Sequence, residues 1–178
     1  AQEIGYPLVL KGCDSQIAHK TEKGLIRVDI RNEQEAQTAF EHILKEVNPE
    51  TGAVLVQEMV KGTRELVVGL TRDPQFGPCV MFGLGGIFTE ILRDVSFRVA
   101  PLEMRDALEM MGEIKGHKIL DAVRGMPAAD RDALAHMLIN VGKIGLEHDV
   151  VKEIDINPVI LHEGRPLAVD ALIVLEAG

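Results

Sequence analysis

In the stretch EIDINP, the residues Glu153, Asp155 and Asn157 fall at every second position, with Ile154 and Ile156 between them. In an extended strand that spacing puts three oxygen-bearing side chains on one face and two apolar ones on the other. Downstream, LAVDALIVL holds a single charge, Asp170, inside an apolar run. A carboxylate is costly to bury there without a cation. If the two stretches pair as strands, Asp155, Asn157 and Asp170 supply hard oxygen ligands of the kind Mg²⁺ takes, with water and phosphate oxygens filling its other positions. The plainer alternative is a solvated sheet face with an Asn-Pro turn.

Three other places carry residues of chemical interest. Lys11 ends the apolar run PLVLK and is followed by Gly12, which puts an ammonium group at a sheet mouth where a nucleotide phosphate can sit; a lysine snorkelling from a strand end is the alternative. GLGGIFTE, residues 83–90, has neither Walker nor Rossmann spacing. Its glycines still allow backbone N–H groups to approach an anion, although a hairpin turn explains them equally. His19 lies in the loop AHKTEKG beside Lys20 and Lys23. A neutral imidazole is a nucleophile near neutral pH and can accept a phosphoryl group, yet a solvated loop histidine fits the same letters. His42, His117, His136, His148 and His162 show no ligand-like spacing and read as surface or packing residues.

These side chains need a scaffold. PLVLK and LIRVDI read as two strands joined by a long loop. Ala36, Ala39, Phe40, Ile43, Leu44 and Val47 recur at three and four, and Asn32 with Glu35 forms a capping box, so Glu33–Val47 is expected to be a helix. AVLVQEMV and ELVVGL are two further strands. The region from Arg72 to Asp94 reads as short strands linked by tight turns. Helices are expected after Pro101, the clearest running from Asp130 to about Glu147, and the chain closes in two or three strands with a hairpin at Glu163 and Gly164. This order is α+β rather than a regular βαβ repeat.

Nineteen Lys and Arg against 28 Asp and Glu leave a net charge of −9, which argues against a nucleic-acid partner. No apolar run reaches the roughly 20 residues that a membrane helix needs. Cys13 and Cys79 match neither a zinc motif nor a disulfide framework, so a cytoplasmic location is expected. AQEIGYP reads as the last turn of a helix closed by Gly5, as though the chain were a piece of a longer polypeptide.

Taken in order, YPLVLKG, IAHKTEKG, AVLVQEMVKGTRELVVGLTRDPQFGPCVMFGLGGIFTEILRD, RVAPL, VRG, EIDINPV and AVDALI resemble the ATP-grasp domain of NDP-forming (ADP-forming) acyl-CoA synthetases and acetate–CoA ligases. These enzymes are relatives of the succinyl-CoA synthetase β subunit. The resemblance spans nearly the whole chain, and RDPQFGPCVMFGLGGIFTE is its most specific stretch. It implies an α+β ATP-grasp fold of two α+β subdomains with a nucleotide cleft between them. Residues 1–57 would be the N-terminally truncated first subdomain and residues 58–178 the second, carrying the metal-binding strands.

Position by position, the resemblance makes Lys11 a phosphate contact and VQEMV a hinge, where Gln57 and the backbone of Glu58 and Val60 meet the adenine edge. It places Glu65 near the ribose, makes Asn157 and Asp170 magnesium ligands with Asp155 the acid just before them, and makes His19 a phosphoryl relay. It implies ATP or ADP and Mg²⁺ as cofactors. It also implies a partner region that binds CoA and carries a phosphohistidine, in the same polypeptide or a separate subunit, and a small-molecule acid and CoA as substrates; an oligomer is compatible with it. Two departures stand out: Gly24 is followed by Leu25 where a second glycine is common, and the CoA-binding part is absent from these residues. A regulatory nucleotide-binding or dimerisation module fused to a protein acetyltransferase is the alternative function.

Overall fold

The computed structural model of the protein describes residues 1–13, 24–86 and 93–176. Two compact units, Ala1–Met59 and Val60–Gly178, divide the chain, and each has its own apolar core.

In the first unit, β1 (Leu8–Cys13), β2 (Ile26–Ile30) and β3 (Ala53–Glu58) form an antiparallel sheet in the order β2-β1-β3. Helix α1 (Glu33–Glu46) starts where Asn32 Oδ1 accepts the Glu35 N–H at 3.0 Å. The Glu35 carboxylate returns to the N–H of Arg31 at 2.8 Å rather than to that of Asn32, so the expected capping box has its return arm one residue early. Ala39, Ile43 and Val47 pack against Leu8, Leu10, Leu25 and Ile30. At Gly12 the helix end comes close, for a Cβ there would sit 2.9 Å from Val47 Cγ1. Leu8, Leu10 and Gly12 therefore face α1, and alternation turns Lys11 to the opposite face. Lys11 was expected at a strand end, but β1 continues to Cys13 and Lys11 is buried.

The second unit is built on β4 (Glu65–Asp73), β5 (Gly77–Leu84), β6 (Val95–Val99), β7 (Val151–His162) and β8 (Arg165–Ala168), in the order β6-β5-β4-β7-β8, with β9 (Leu172–Leu175) pairing the first half of β7. β4 carries the strand expected over ELVVGL on to Asp73, and eight-residue β5 takes the place of short strands expected after it. Asp73 Oδ1 closes their hairpin by accepting the N–H groups of Gln75 and Phe76. Helix α2 (Met104–Glu113) and helix α3 (Arg131–Glu147) bury one face of the sheet through Leu66, Val68, Leu70, Val80, Phe82 and Ile154, among others. A large apolar side chain fully buried in this way contributes roughly 1.5–3 kcal/mol. Asp130 caps α3 by accepting the Ala133 N–H at 2.9 Å. At the other end the Arg72 guanidinium donates to the carbonyls of Gly145 and His148, where a cation also meets the negative end of the helix dipole.

LAVDALIVL is not one strand. It breaks into β8 and β9, and Asp170 lies in the gap. Asn157 and Pro158 do not form a turn but lie inside β7, where the pairing with β4 shifts between Leu66 and Val68. Among the described residues no helix is long and apolar enough to cross a membrane.

Candidate functional site

Because even-numbered residues of β4 and β5 face the helices, the other face of the large sheet carries Gly69, Thr71 and Met81, with Phe97 of β6 beside them. Across this face Asp155 pairs with Gly69, Gly69 with Met81, and Met81 with Phe97. Gly69 projects nothing into that row, and a hollow of about 250 Å³ forms there, lined by Gly69, Thr71, Met81, Phe97, Asp155 and Asn157 among others. Ile154 and Ile156 face the core as expected.

Asp170 approaches the same place from the gap between β8 and β9. Asp155 pairs with Leu172, the first residue of β9, and the Val169 N–H donates to Pro158 O at 3.2 Å. Burial pushes the Asp155 carboxyl above the ordinary carboxylate range, and the charges of Glu153 and then Asp170 push it the same way. Both charges acting on it are negative. Two carboxylates and an amide oxygen make a hard donor set that fits Mg²⁺, whereas zinc prefers sulfur and imidazole. Among the described residues no three His, Cys, Asp or Glu side chains form a metal cluster by themselves, so Asn157, water and a phosphate would have to complete the sphere.

This electrostatic excess has a measurable cost. A raised carboxyl means that the folded state holds the proton more tightly than the unfolded chain, so the cost is full above the raised value and fades as pH falls through it. Asp155→Asn is therefore expected to raise the Tm of the metal-free protein at neutral pH by about 2 °C, a modest gain because solvent screens a partly exposed group. The gain should shrink as pH falls toward the ordinary carboxylate range in thermal scans with EDTA. A variant less stable than wild type at neutral pH would contradict this account.

The remaining candidates fall as follows. Lys11, 4% exposed, lies in the central strand of the small sheet between Ile26 and Leu55. Gln57 and Glu58 pair with Val9 and Leu8 at the end of β3, and Val60 opens the second unit. Glu65 begins β4; its carbonyl accepts the Gly85 N–H at 2.8 Å, and its carboxylate lies where a Cβ on Gly86 would stand. Gly86 has φ +61° and leaves that space open. His19 lies outside the described residues. Two residues had escaped notice in the sequence. Gly69 opens the hollow, and Arg64 is buried beside Glu65; both lie in the stretch that carries the resemblance, which assigned neither a role.

Residues 1–175 match the family described as the ATP-grasp domain, and the chain belongs to that family. The β subunit of ADP-forming acetate–CoA ligase I from Pyrococcus furiosus is 47% identical over 178 residues, covering 97% of this chain and 77% of the relative. ADP-forming acetate–CoA ligase I from Archaeoglobus fulgidus is 44% identical over 180 residues, 98% of this chain and 26% of the relative. A solved structure of Ca. Korarchaeum cryptofilum dinucleotide forming acetyl-coenzyme A synthetase 1 is 45% identical with a TM-score of 0.85, covering 98% of this chain and 79% of that one. That structure holds coenzyme A and Mg-AMPPCP, with its phosphohistidine segment pointing towards the nucleotide binding site. The chain thus corresponds to the ATP-grasp portion of ADP-forming acetyl-CoA synthetases, spanning about three quarters of a separate β subunit and about a quarter of a single-chain ligase. The mixed α+β fold agrees with the expected class. Because these relatives are ligases, the acetyltransferase-fused module is not favoured.

Proposed function

We propose that this chain is the nucleotide-handling part of a cytoplasmic ADP-forming acyl-CoA synthetase, whose whole reaction interconverts acid, CoA and ATP with acyl-CoA, ADP and phosphate. The observation that carries the reading is the oxygen set on the open sheet face: Asp155, raised by burial and then by the charges of Glu153 and Asp170, with Asn157 beside the same hollow. Asp155, Asn157 and Asp170 would hold Mg²⁺, which when bound supplies charge neutralisation for nucleotide phosphates. Lys11 would contact those phosphates, Gln57 and the backbone of Glu58 and Val60 the adenine edge, and Glu65 the ribose. Phosphoryl transfer asks the protein chiefly for position and charge complementarity, which these residues provide. The acceptor is an imidazole: its lone pair takes the γ-phosphorus as the P–O bond to ADP breaks, and His19 relays the group to or from a CoA-binding partner region in the same polypeptide or a second subunit.

Calorimetric titration of ADP into the full-length parent, with Mg²⁺ and with EDTA, tests this reading. Binding should depend on Mg²⁺, and Lys11→Met, which keeps length and removes charge, should raise Kd about 30-fold, about 2 kcal/mol. An ADP constant that is the same in Mg²⁺ and in EDTA would sink the metal site, and an unchanged constant in Lys11→Met would remove the lysine from it.

A further inference from the structure

Arg64 stands directly before Glu65 and is 5% exposed. Its Nη1 donates to the carbonyls of Ile119 and Asp121, both at 3.1 Å, and its Nη2 to the carbonyl of Pro127 at 2.6 Å. Its Nε is buried and has no hydrogen-bond partner among the described residues. A desolvated guanidinium with an unmet donor is expensive to keep, and an apolar side chain would fill the same space without that cost. What only Arg supplies is a planar fork that ties three separate carbonyls to one strand.

The segment it holds is tied by further bonds of its own. Val123 and Met126 exchange N–H···O bonds of 3.2 and 2.9 Å, with Arg124 (φ +48°) and Gly125 (φ +82°) at the tip. Asp121 is also held by Arg131 at 2.9 Å. The residues just before Arg64 are fastened too. Thr63 Oγ1 contacts Met126 Sδ at 3.5 Å, and His162 Nδ1 bonds Lys61 O at 2.7 Å. Gly62 lies so close to β7 that a Cβ would sit 2.9 Å from Leu161 O. Leu161 N–H in turn donates to Arg64 O at 3.0 Å.

We propose that Arg64 is a positioning residue for nucleotide binding: from the helix side of the sheet it fixes the start of β4, and so fixes Glu65 on the opposite face. Strand alternation makes the two side chains point apart, so the clamp on one face sets the carboxylate on the other. The proposal rests on the reading of Glu65 as the ribose contact.

The test is a double-mutant cycle in the full-length parent, with Arg64→Lys, Glu65→Gln and the pair, read as the ADP constant in Mg²⁺ and, separately, as the thermal shift given by Mg²⁺ alone. Each single variant should weaken ADP about tenfold, and the pair should be no weaker than Glu65→Gln within about twofold, because coupled residues are not additive. The shift from Mg²⁺ alone should match wild type, since Asp155, Asn157 and Asp170 are untouched. Single effects that multiply, unchanged ADP affinity in Arg64→Lys, or parallel loss of the Mg²⁺ response would each overturn the proposal. Glu65→Gln that binds ADP like wild type would overturn the ribose reading, and the proposal with it. If Arg64→Lys does not fold, Thr63→Val, which removes only the contact to Met126, should weaken ADP about threefold with the same lack of additivity; additivity or no change would overturn the proposal.

Discussion

In the full-length parent, Asp170→Asn is expected to lower turnover about 100-fold, about 2.7 kcal/mol in barrier, while leaving the fold intact. The substitution keeps side-chain size and an oxygen but removes one of the two carboxylates of the proposed metal set. Asp170 lies in the gap between β8 and β9 rather than inside a strand, so no ladder pairing is lost. Its charge is also one of those that, after burial, raise the Asp155 carboxyl. ADP affinity in EDTA should stay within about twofold, and the gain in affinity given by Mg²⁺ should largely vanish. Equal Mg²⁺-dependent affinity in variant and wild type would place the metal elsewhere.

A second large effect is expected at His19. If this imidazole relays the phosphoryl group, His19→Ala in the full-length parent should abolish net exchange between acid and ATP, a loss of at least about 1000-fold or about 4 kcal/mol, with ADP binding changed only a few fold. A solvated loop histidine would change turnover by less than about tenfold, about 1.4 kcal/mol. Near-normal turnover in His19→Ala, with Asp170→Asn inactive in the same assay, would leave the magnesium set standing and remove the relay.

What the sequence revealed depended on how local each signal was. Glu153, Asp155 and Asn157 were legible because a period of two with Ile154 and Ile156 between them admits one strand reading. Helices α1 and α3 were legible through their apolar spacing, with Asn32 before the first and Asp130 or Asp132 as candidate caps of the second, of which Asp130 is the one that accepts the Ala133 N–H. The break of LAVDALIVL into β8 and β9 was not, because every residue around Asp170 is strand-compatible and the change of partner along β7 is a tertiary fact. Pro158 suggested a turn, and its place inside β7 depends on the shifted pairing opposite Leu66 and Val68. Arg64 left no trace because the carbonyls it binds lie 55 to 63 residues downstream. Lys11 looked like a strand end because Gly12, which lets α1 approach, reads locally as a terminator.

The joint between the two units carries an evolutionary constraint. Met59 N–H is tied to Pro7 O within the first unit and Lys61 O to His162 within the second, so Val60 alone stands between two anchored residues. Neither anchor involves its side chain, while its backbone torsions join them. Across relatives the residue type at this position should drift among similar side chains, whereas the count of residues from β3 to Arg64 should stay fixed. Insertions and deletions should accumulate at the Glu163–Gly164 hairpin even less readily, since Gly164 O accepts the Asp130 N–H at 2.8 Å, and should collect instead at the Pro74–Phe76 turn, where Phe76 is exposed and its N–H donates to Asp73 within the same turn.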